Sequence, residues 1–450
     1  MNDDRERNRL SARVGRAAHV GAQLSGAAAA IGVRKLLAGG DADAQIAAAI
    51  KAALGRAKGP LMKVAQMLAT IPDLLPPEYA AELATLQSGA PAMGWPFVRR
   101  RMRAELGEEW EARFARFEHD AANAASLGQV HRAQSLDGRA LACKLQYPDM
   151  ASAVESDLGQ LNTILALVKR MARVIDPTAI GEEIADRLRE ELDYEREAKH
   201  IRLYRAMLAD IPGAAAPEPI AELSTKRLLT MTWLEGQPLS AFESAPQETR
   251  NRIAVLLFKA WWTPLGQYGV IHGDPHLGNY SFAGAAGETL NLLDFGCVRI
   301  FPPRFVEGVV TLRDGLARED AAAIAAAYEN WGFHDLSAER IEALNIWARF
   351  MFAPLLDSRV RRVAEGVKPS EYGRPEIWRM KEMLRAHGPV AIPREFVFLD
   401  RAAIGLGAAF IRLDAALNFA ELFDEAIAGF SAAAMTARQD AALAAAGLAG

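Results

Sequence analysis

Cysteine is nearly absent from this chain: of 450 residues only Cys143 and Cys297 are cysteine, with no Cys-x-x-Cys pair and no His/Cys cluster. That excludes a disulfide scaffold and a structural zinc site, and makes a reducing compartment the default. A long apolar run is missing as well. The best candidate, residues 402–411, lies between Arg401 and Arg412 and is too short to cross a hydrocarbon core of about 30 Å. Charge of one sign is not in excess. A net charge of −4 argues against a nucleic-acid partner, which would normally select a basic domain. The N-terminal residues are Arg-rich (Arg5, Arg7, Arg9) before a weakly apolar stretch at 21–32, a poor match to a secretory signal. A cytoplasmic protein is expected. What the chain does have is an ordinary globular balance, 51% apolar and 24% charged, over a length that suits two lobes or more.

The most informative stretch is His272-Gly273-Asp274-Pro275-His276-Leu277-Gly278-Asn279, of the form H-G-D-x-x-x-x-N. It is followed by an apolar strand that ends in Asp294-Phe295-Gly296. In kinase-like phosphotransferases the first Asp orients and deprotonates the attacking hydroxyl or water. The Asn and the second Asp hold the Mg²⁺ ions that bridge the ATP phosphates. Asp274 to Asn279 spans one tight loop. Asn279 to Asp294 is long enough for a β-hairpin, turning at 283–287, that returns Asp294 beside Asn279. The expected roles are therefore a catalytic Asp274, metal ligands Asn279 and Asp294, and ATP or ADP with Mg²⁺ as cofactors.

Upstream, residues 1–58 carry ten Lys and Arg against five Asp and Glu on an alanine-rich, helix-prone segment. This reads as a solvated helix face with some attraction to an anionic membrane surface. A helix then starts near Pro60 and ends before Pro72, with Lys63 and Gln66 on one face. Taken alone, those two residues read as surface. Gly107 closes a helix bearing Arg99, Arg100, Arg101 and Arg103, balanced by Glu105, Glu108, Glu109 and Glu111, and that run reads as a solvated face. From Phe117 the pattern is of strands, with a hairpin turn at Asp137-Gly138 leading into residues 140–146 and Lys144. This is how a kinase small lobe opens: a loop over the phosphates (Ala124, Ala125, Ser126, Gly128), a strand starting near Val130, and a strand with a phosphate-binding lysine. Aligned on Val130, however, the glycine-rich G-x-G-x-x-G-x-V reads Asn123, Ala125 and Gly128. Alanine adds a Cβ and disfavours positive φ, so a stiffer loop is expected.

The acidic run 190–198 reads as one helix, and a carboxylate from it should pair with Lys144; Glu197 is the first choice and Glu191 the second. Residues 227–236 read as an apolar strand entering a hinge, where the backbone near Met231 and Leu234 would hydrogen-bond adenine. After Asp294-Phe295-Gly296 the chain runs through residues 297–304 and is then expected to return at once to helix. No A-P-E follows, and Gly273, not Arg, precedes Asp274, which argues against a conventional protein kinase. The expected architecture is α+β, a two-lobed protein-kinase-like fold. An N-terminal helical extension (1–115) precedes a small mixed lobe with inserted helices (116–235) and a large helical lobe (236–450).

These residues together resemble the UbiB/AarF-type atypical kinases over roughly residues 55–300. The family's K-x-G-Q helix is matched by Lys63-Val64-Ala65-Gln66, with Ala65 in place of glycine. Its alanine-rich loop is matched by residues 123–131, its E-x-D element by Glu191-Leu192-Asp193, and its lysine-pairing Glu by Glu197. The resemblance implies that Lys63 and Gln66 face the nucleotide and the Glu191/Asp193 pair. It further implies ATPase or small-molecule phosphotransfer in ubiquinone or other isoprenoid-lipid metabolism. The setting it implies is the inner face of a membrane, with protein partners of a quinone-biosynthesis complex. Two alternatives remain open at this point. One is a small-molecule phosphotransferase of aminoglycoside- or choline-kinase type, which has no use for the Lys63/Gln66 helix. The other is a nucleotide-sensing scaffold with little turnover, which has no need to keep Asp274, Asn279 and Asp294.

Overall fold

Pro96 in its first turn and Gly107 just past its last residue bracket helix α1 (Trp95–Leu106), the first element among the described residues of the computed structural model. The structure describes residues 92–124, 127–155, 158, 185–366, 372–388, 390 and 393–449. These fall into two units. One contains the described residues up to Arg196 together with Pro219–Trp233; the other contains Glu197–Glu218 and the residues from Leu234 onward.

The first unit is built on an antiparallel sheet of β1 (Phe114–Ala124), β2 (Gly128–Ser135), β3 (Ala140–Gln146) and β5 (Leu228–Thr232), in that spatial order. The expected hairpin is present. Gly138 takes φ +89° at the β2–β3 turn, a conformation glycine adopts without strain, and the Ser135 hydroxyl donates to Asp137 across it. The register pairs Val130 directly with Lys144, and Lys144 in turn with Leu229 of β5. One face of the sheet is covered by α1: Val98, Met102, Trp110, Leu141, Cys143 and Leu145 are all buried in one cluster. Each large apolar side chain so removed from water contributes on the order of 1.5–3 kcal/mol.

The arginine run of α1 is not uniformly solvated. Arg101 is 5% exposed; its guanidinium donates to Glu105 and to the Tyr147 carbonyl. Glu105 also accepts from Arg227 at 2.9 Å and from the Thr225 hydroxyl at 2.7 Å. Tertiary partners 46 to 122 residues away turn this face into an interior.

In the second unit, α2 begins in the first unit at Tyr194 and runs to Leu208. The 190–198 run is not one helix. Residues 191–193 form a turn, and Asp193 accepts from the backbone N–H of Arg196 at 3.0 Å, an N-cap that starts α2. A short β4 (Ala214–Ala215) pairs in parallel with β8 (Thr289–Leu292), which pairs antiparallel with β7 (Tyr280–Ala283). The long helix α3 (Gln247–Tyr268) buries Ile253, Leu257, Trp261 and Leu265 and stops at Gly269 in the left-handed conformation. Next comes β6 (Val270–His272). The helix expected after residues 297–304 begins at Pro303; within the segment before it, β9 (Val298–Ile300) pairs antiparallel with β6, a strand the sequence does not announce. The helices α4 (Pro303–Arg318), α5 (Ala321–Asn330), α6 (Ala338–Phe352), α7 (Arg374–His387) and α8 (Arg394–Arg412) follow. A two-residue ladder, β10 (Arg361–Arg362) with β11 (Ala416–Leu417), precedes α9 (Phe419–Ala426) and α10 (Ala432–Ala446). Asp320, Ser337, Asn418 and Ser431 cap α5, α6, α9 and α10 with their side-chain oxygens.

Candidate active site

The loop after β6 is held from beneath by a neutral histidine. Buried His272 donates from Nε2 to the Asp294 carbonyl, while its Nδ1 accepts from the Asp274 N–H at 3.3 Å. One nitrogen must carry a proton and the other must not, so the ring is uncharged. Burial pushes its pKa below the usual value, against the pull of the Asp294 carbonyl and of the Asp274 and Asp294 charges. The ring is gripped by Tyr204, Trp261 and Phe295 at centroid distances of 5.9, 5.2 and 5.7 Å. Trp261 Nε1 donates to the His272 carbonyl at 3.0 Å. A single imidazole thus ties the Asp274 backbone to the Asp294 backbone.

Further ties set the three oxygen-bearing side chains in place. Asn279 Nδ2 donates to the Asp274 carbonyl at 3.2 Å, and the Asn279 carbonyl accepts from the Leu293 N–H at 2.8 Å. The β7–β8 hairpin returns the chain through Gly284 and Gly287, both at positive φ, bringing the Asp294 segment beside Asn279 as the spacing predicts. Asp294 Oδ1 accepts from the Gly296 N–H at 3.0 Å. Glu197, 2% exposed, receives the Phe295 N–H at 3.4 Å, and His200 Nδ1 meets the Phe295 carbonyl at 3.1 Å. Gly273 has no room for a side chain, because an added Cβ would lie 2.4 Å from the Cys297 carbonyl oxygen. Asp274 itself is buried to 8% exposure.

In the other unit Lys144 is half-buried, and its ammonium lies over the Tyr194 ring at 5.2 Å. Gly128 is also confined by contact: a Cβ there would meet the Leu145 carbonyl oxygen at 2.3 Å and the Tyr194 hydroxyl at 2.9 Å. The turn holding Glu191 and Asp193 is fixed by Gln146, whose buried amide donates to the Leu192 carbonyl at 2.7 Å. Gln129 and His131 act as a second brace. Gln129 exchanges hydrogen bonds with the Met93 backbone and donates to His131 Nε2. His131 Nδ1 donates to the Glu118 carbonyl, so this ring too is neutral, and burial lowers its pKa.

Ala124 ends β1 and Met231 lies in β5 opposite Ala142, while Leu234 follows that strand. Lys63, Gln66, Ala125 and Ser126 lie outside the described residues. Sequence reasoning did not single out Gln129, His131, Gln146 or His200. For the first three the available signal was polar residues inside otherwise apolar strands, since buried polar groups require partners; His200 lies on α2.

The four-stranded sheet carrying Lys144 in one unit, and the polar loop followed by Asp-Phe-Gly in the other, are features of a protein-kinase-like fold. Comparison with known proteins narrows this. A family model described as the ABC1 atypical kinase-like domain matches residues 85–328, more than half of the chain, and the chain belongs to that family. The mitochondrial atypical kinase coq-8 of Caenorhabditis elegans is 33% identical over 264 residues, covering 57% of this chain and 35% of that protein. The mitochondrial atypical kinase COQ8 of Saccharomyces cerevisiae is 30% identical over 253 residues, covering 55% and 50%. The chain thus spans between a third and a half of these curated relatives' length. Among solved structures, the Rv3197–erythromycin complex from Mycobacterium tuberculosis matches with a TM-score of 0.57 and 26% identity, over 84% of this chain and 94% of that one.

Proposed function

We propose that this protein is an atypical kinase or ATPase that uses Mg-ATP and serves ubiquinone or other isoprenoid-lipid metabolism at a membrane surface. One observation carries the catalytic part: Asp274, Asn279 and Asp294 are tied to one another through backbone hydrogen bonds and a neutral His272. Preorganised polar groups of this kind cost no reorganisation at the moment of reaction. In this reading Asp274 takes the proton from a hydroxyl acceptor or orients water. Lys144 binds the α- and β-phosphates, and Glu197 is the carboxylate assigned to it. Residues Ala124, Ala125, Ser126, Gly128 and Val130 cover the phosphates, and Met231 and Leu234 border the base. Lys63, Gln66, Glu191 and Asp193 bias the site toward hydrolysis or a small acceptor in place of a peptide.

The donor set suits magnesium. Among the described residues no group of three or more His, Cys, Asp or Glu forms an all-protein metal cage. One carboxylate and one amide oxygen are what Mg²⁺ uses when substrate phosphates and water supply the rest. Asn279 spends its amide N–H on Asp274 and keeps Oδ1 for a cation; Asp294 supplies the charge. When bound, the ion neutralises charge on the β- and γ-phosphates.

Asp294→Asn should abolish Mg²⁺-dependent nucleotide binding. In a thermal-shift titration the wild type should gain about 2.7 kcal/mol at a hundred times the dissociation constant, and the variant essentially none. Equal shifts would remove the metal assignment. A second reading, transfer to a soluble hydroxyl-bearing compound, draws support from the macrolide complex formed by the mycobacterial neighbour. It predicts a phosphorylated product instead of free phosphate.

A further inference from the structure

The helical unit contains an apolar cavity of about 350 Å³ walled by helices α3 to α9 and the segments around Leu355 and Tyr372. None of its lining residues is charged. Its polar atoms are largely spent on the protein: the Tyr328 hydroxyl donates to Asn345, and Trp331 Nε1 donates to the Phe305 carbonyl. Water in such a space would find few of the two to four partners it needs. A cavity of about 150 Å³ lined by aliphatic and aromatic groups accommodates one benzene ring, so this one has room for two or three. At Gly407 the wall is recessed, because an added Cβ there would meet nothing within 4 Å. Ile404, at the rim, is 40% exposed and offers an apolar entrance.

The wall that matters most is α8. Ala403, Ile404, Leu406 and Gly407 line the cavity, while Gly405 between them abuts the polar loop: a Cβ on Gly405 would lie 2.2 Å from Pro275 Cγ. Pro275 directly follows Asp274. We infer that the cavity binds one uncharged, apolar small molecule of two to three rings, or an equivalent hydrocarbon chain. Its occupancy is coupled through α8 and Pro275 to the Asp274 loop. The binding claim stands on the cavity alone; the coupling rests on the nucleotide site proposed above.

The full chain would be titrated with 1-aminoanthracene, an uncharged three-ring fluorophore, following its emission and the quenching of Trp262, Trp331 and Trp347 in the cavity wall. Saturable binding of one molecule per chain is expected, weakened at least tenfold in Gly407→Leu and in Ala403→Leu, with unfolding temperatures no lower than that of the wild type for Gly407→Leu. Exposed Ile300→Ser should bind as the wild type does. Equal binding by the filled variants, or uptake of many molecules per chain, would overturn the site. So would no binding together with a lowered unfolding temperature in Gly407→Leu, since the cavity would then be filled by the chain's own residues. Because coupling is reciprocal, saturating Mg-ADP should shift the probe's dissociation constant at least twofold. An unchanged constant with nucleotide bound, as seen by thermal shift, overturns the coupling. No nucleotide binding at all would count against the nucleotide site and leave the cavity to be judged on its own variants.

Discussion

Arg101 and His272 do the same kind of work, one in each unit: each is a buried polar side chain that holds backbone in place. Around Arg101 the charge is matched by Glu105, which also serves Arg227 and Thr225. Removing one member of a buried ion cluster leaves the others desolvated and uncompensated, a loss of about 3–5 kcal/mol. Glu105→Ala should therefore lower the unfolding free energy by that amount in urea denaturation, and Arg227→Met, at the more exposed edge of the cluster, by less. A loss below about 1 kcal/mol for Glu105→Ala would mean that the cluster contributes nothing net. Around His272 neutrality is what matters, since a second ring proton would confront the Asp274 N–H instead of accepting from it.

Between elements, the closest approach bearing on the site is that of α8 to the polar loop. Replacing a mid-helix glycine by alanine ordinarily gains up to about 1 kcal/mol. Gly405 should show the opposite sign, because its Cβ would strike the ring of Pro275, and overpacking costs typically about 1–3 kcal/mol. Gly407→Ala, on the same helix but facing open space, should stabilise. Unfolding temperatures of the two variants check the contrast, and a gain in both would show that α8 does not bear on the loop. Helices and hairpins of this kind were readable in advance where a local signal existed. Gly107 ended α1, Asp137-Gly138 made the first hairpin, and the spacing of Asn279 and Asp294 foretold the second. Three features were not readable. The break at 191–193 depends on Asp193 capping α2 and on Gln146 reaching the Leu192 carbonyl. The burial of Arg101 depends on the Tyr147 carbonyl and Arg227 as well as on Glu105. The strand β9 exists because β6 offers it a partner. Apart from the Asp193 cap, which is local, each is decided by a tertiary contact that a local pattern does not encode.

At the scale of the whole molecule, the kinase-like fold and the family were legible because their motifs are polar, fixed in spacing and carried by loops. Membrane association was not. Among the described residues no helix is long and apolar enough to cross a bilayer, and the basic, alanine-rich residues 1–58 lie outside them. We propose that the Asp274–Asn279–Asp294 group turns over Mg-ATP in a lipid setting. The most direct measurement follows the γ-phosphate of labelled Mg-ATP with the wild-type chain and with Asp294→Asn, each with and without anionic liposomes. Phosphate release should rise with lipid in the wild type and vanish in the variant. Nucleotide binding without turnover under any of these conditions would contradict the proposal and make the protein a nucleotide-responsive scaffold.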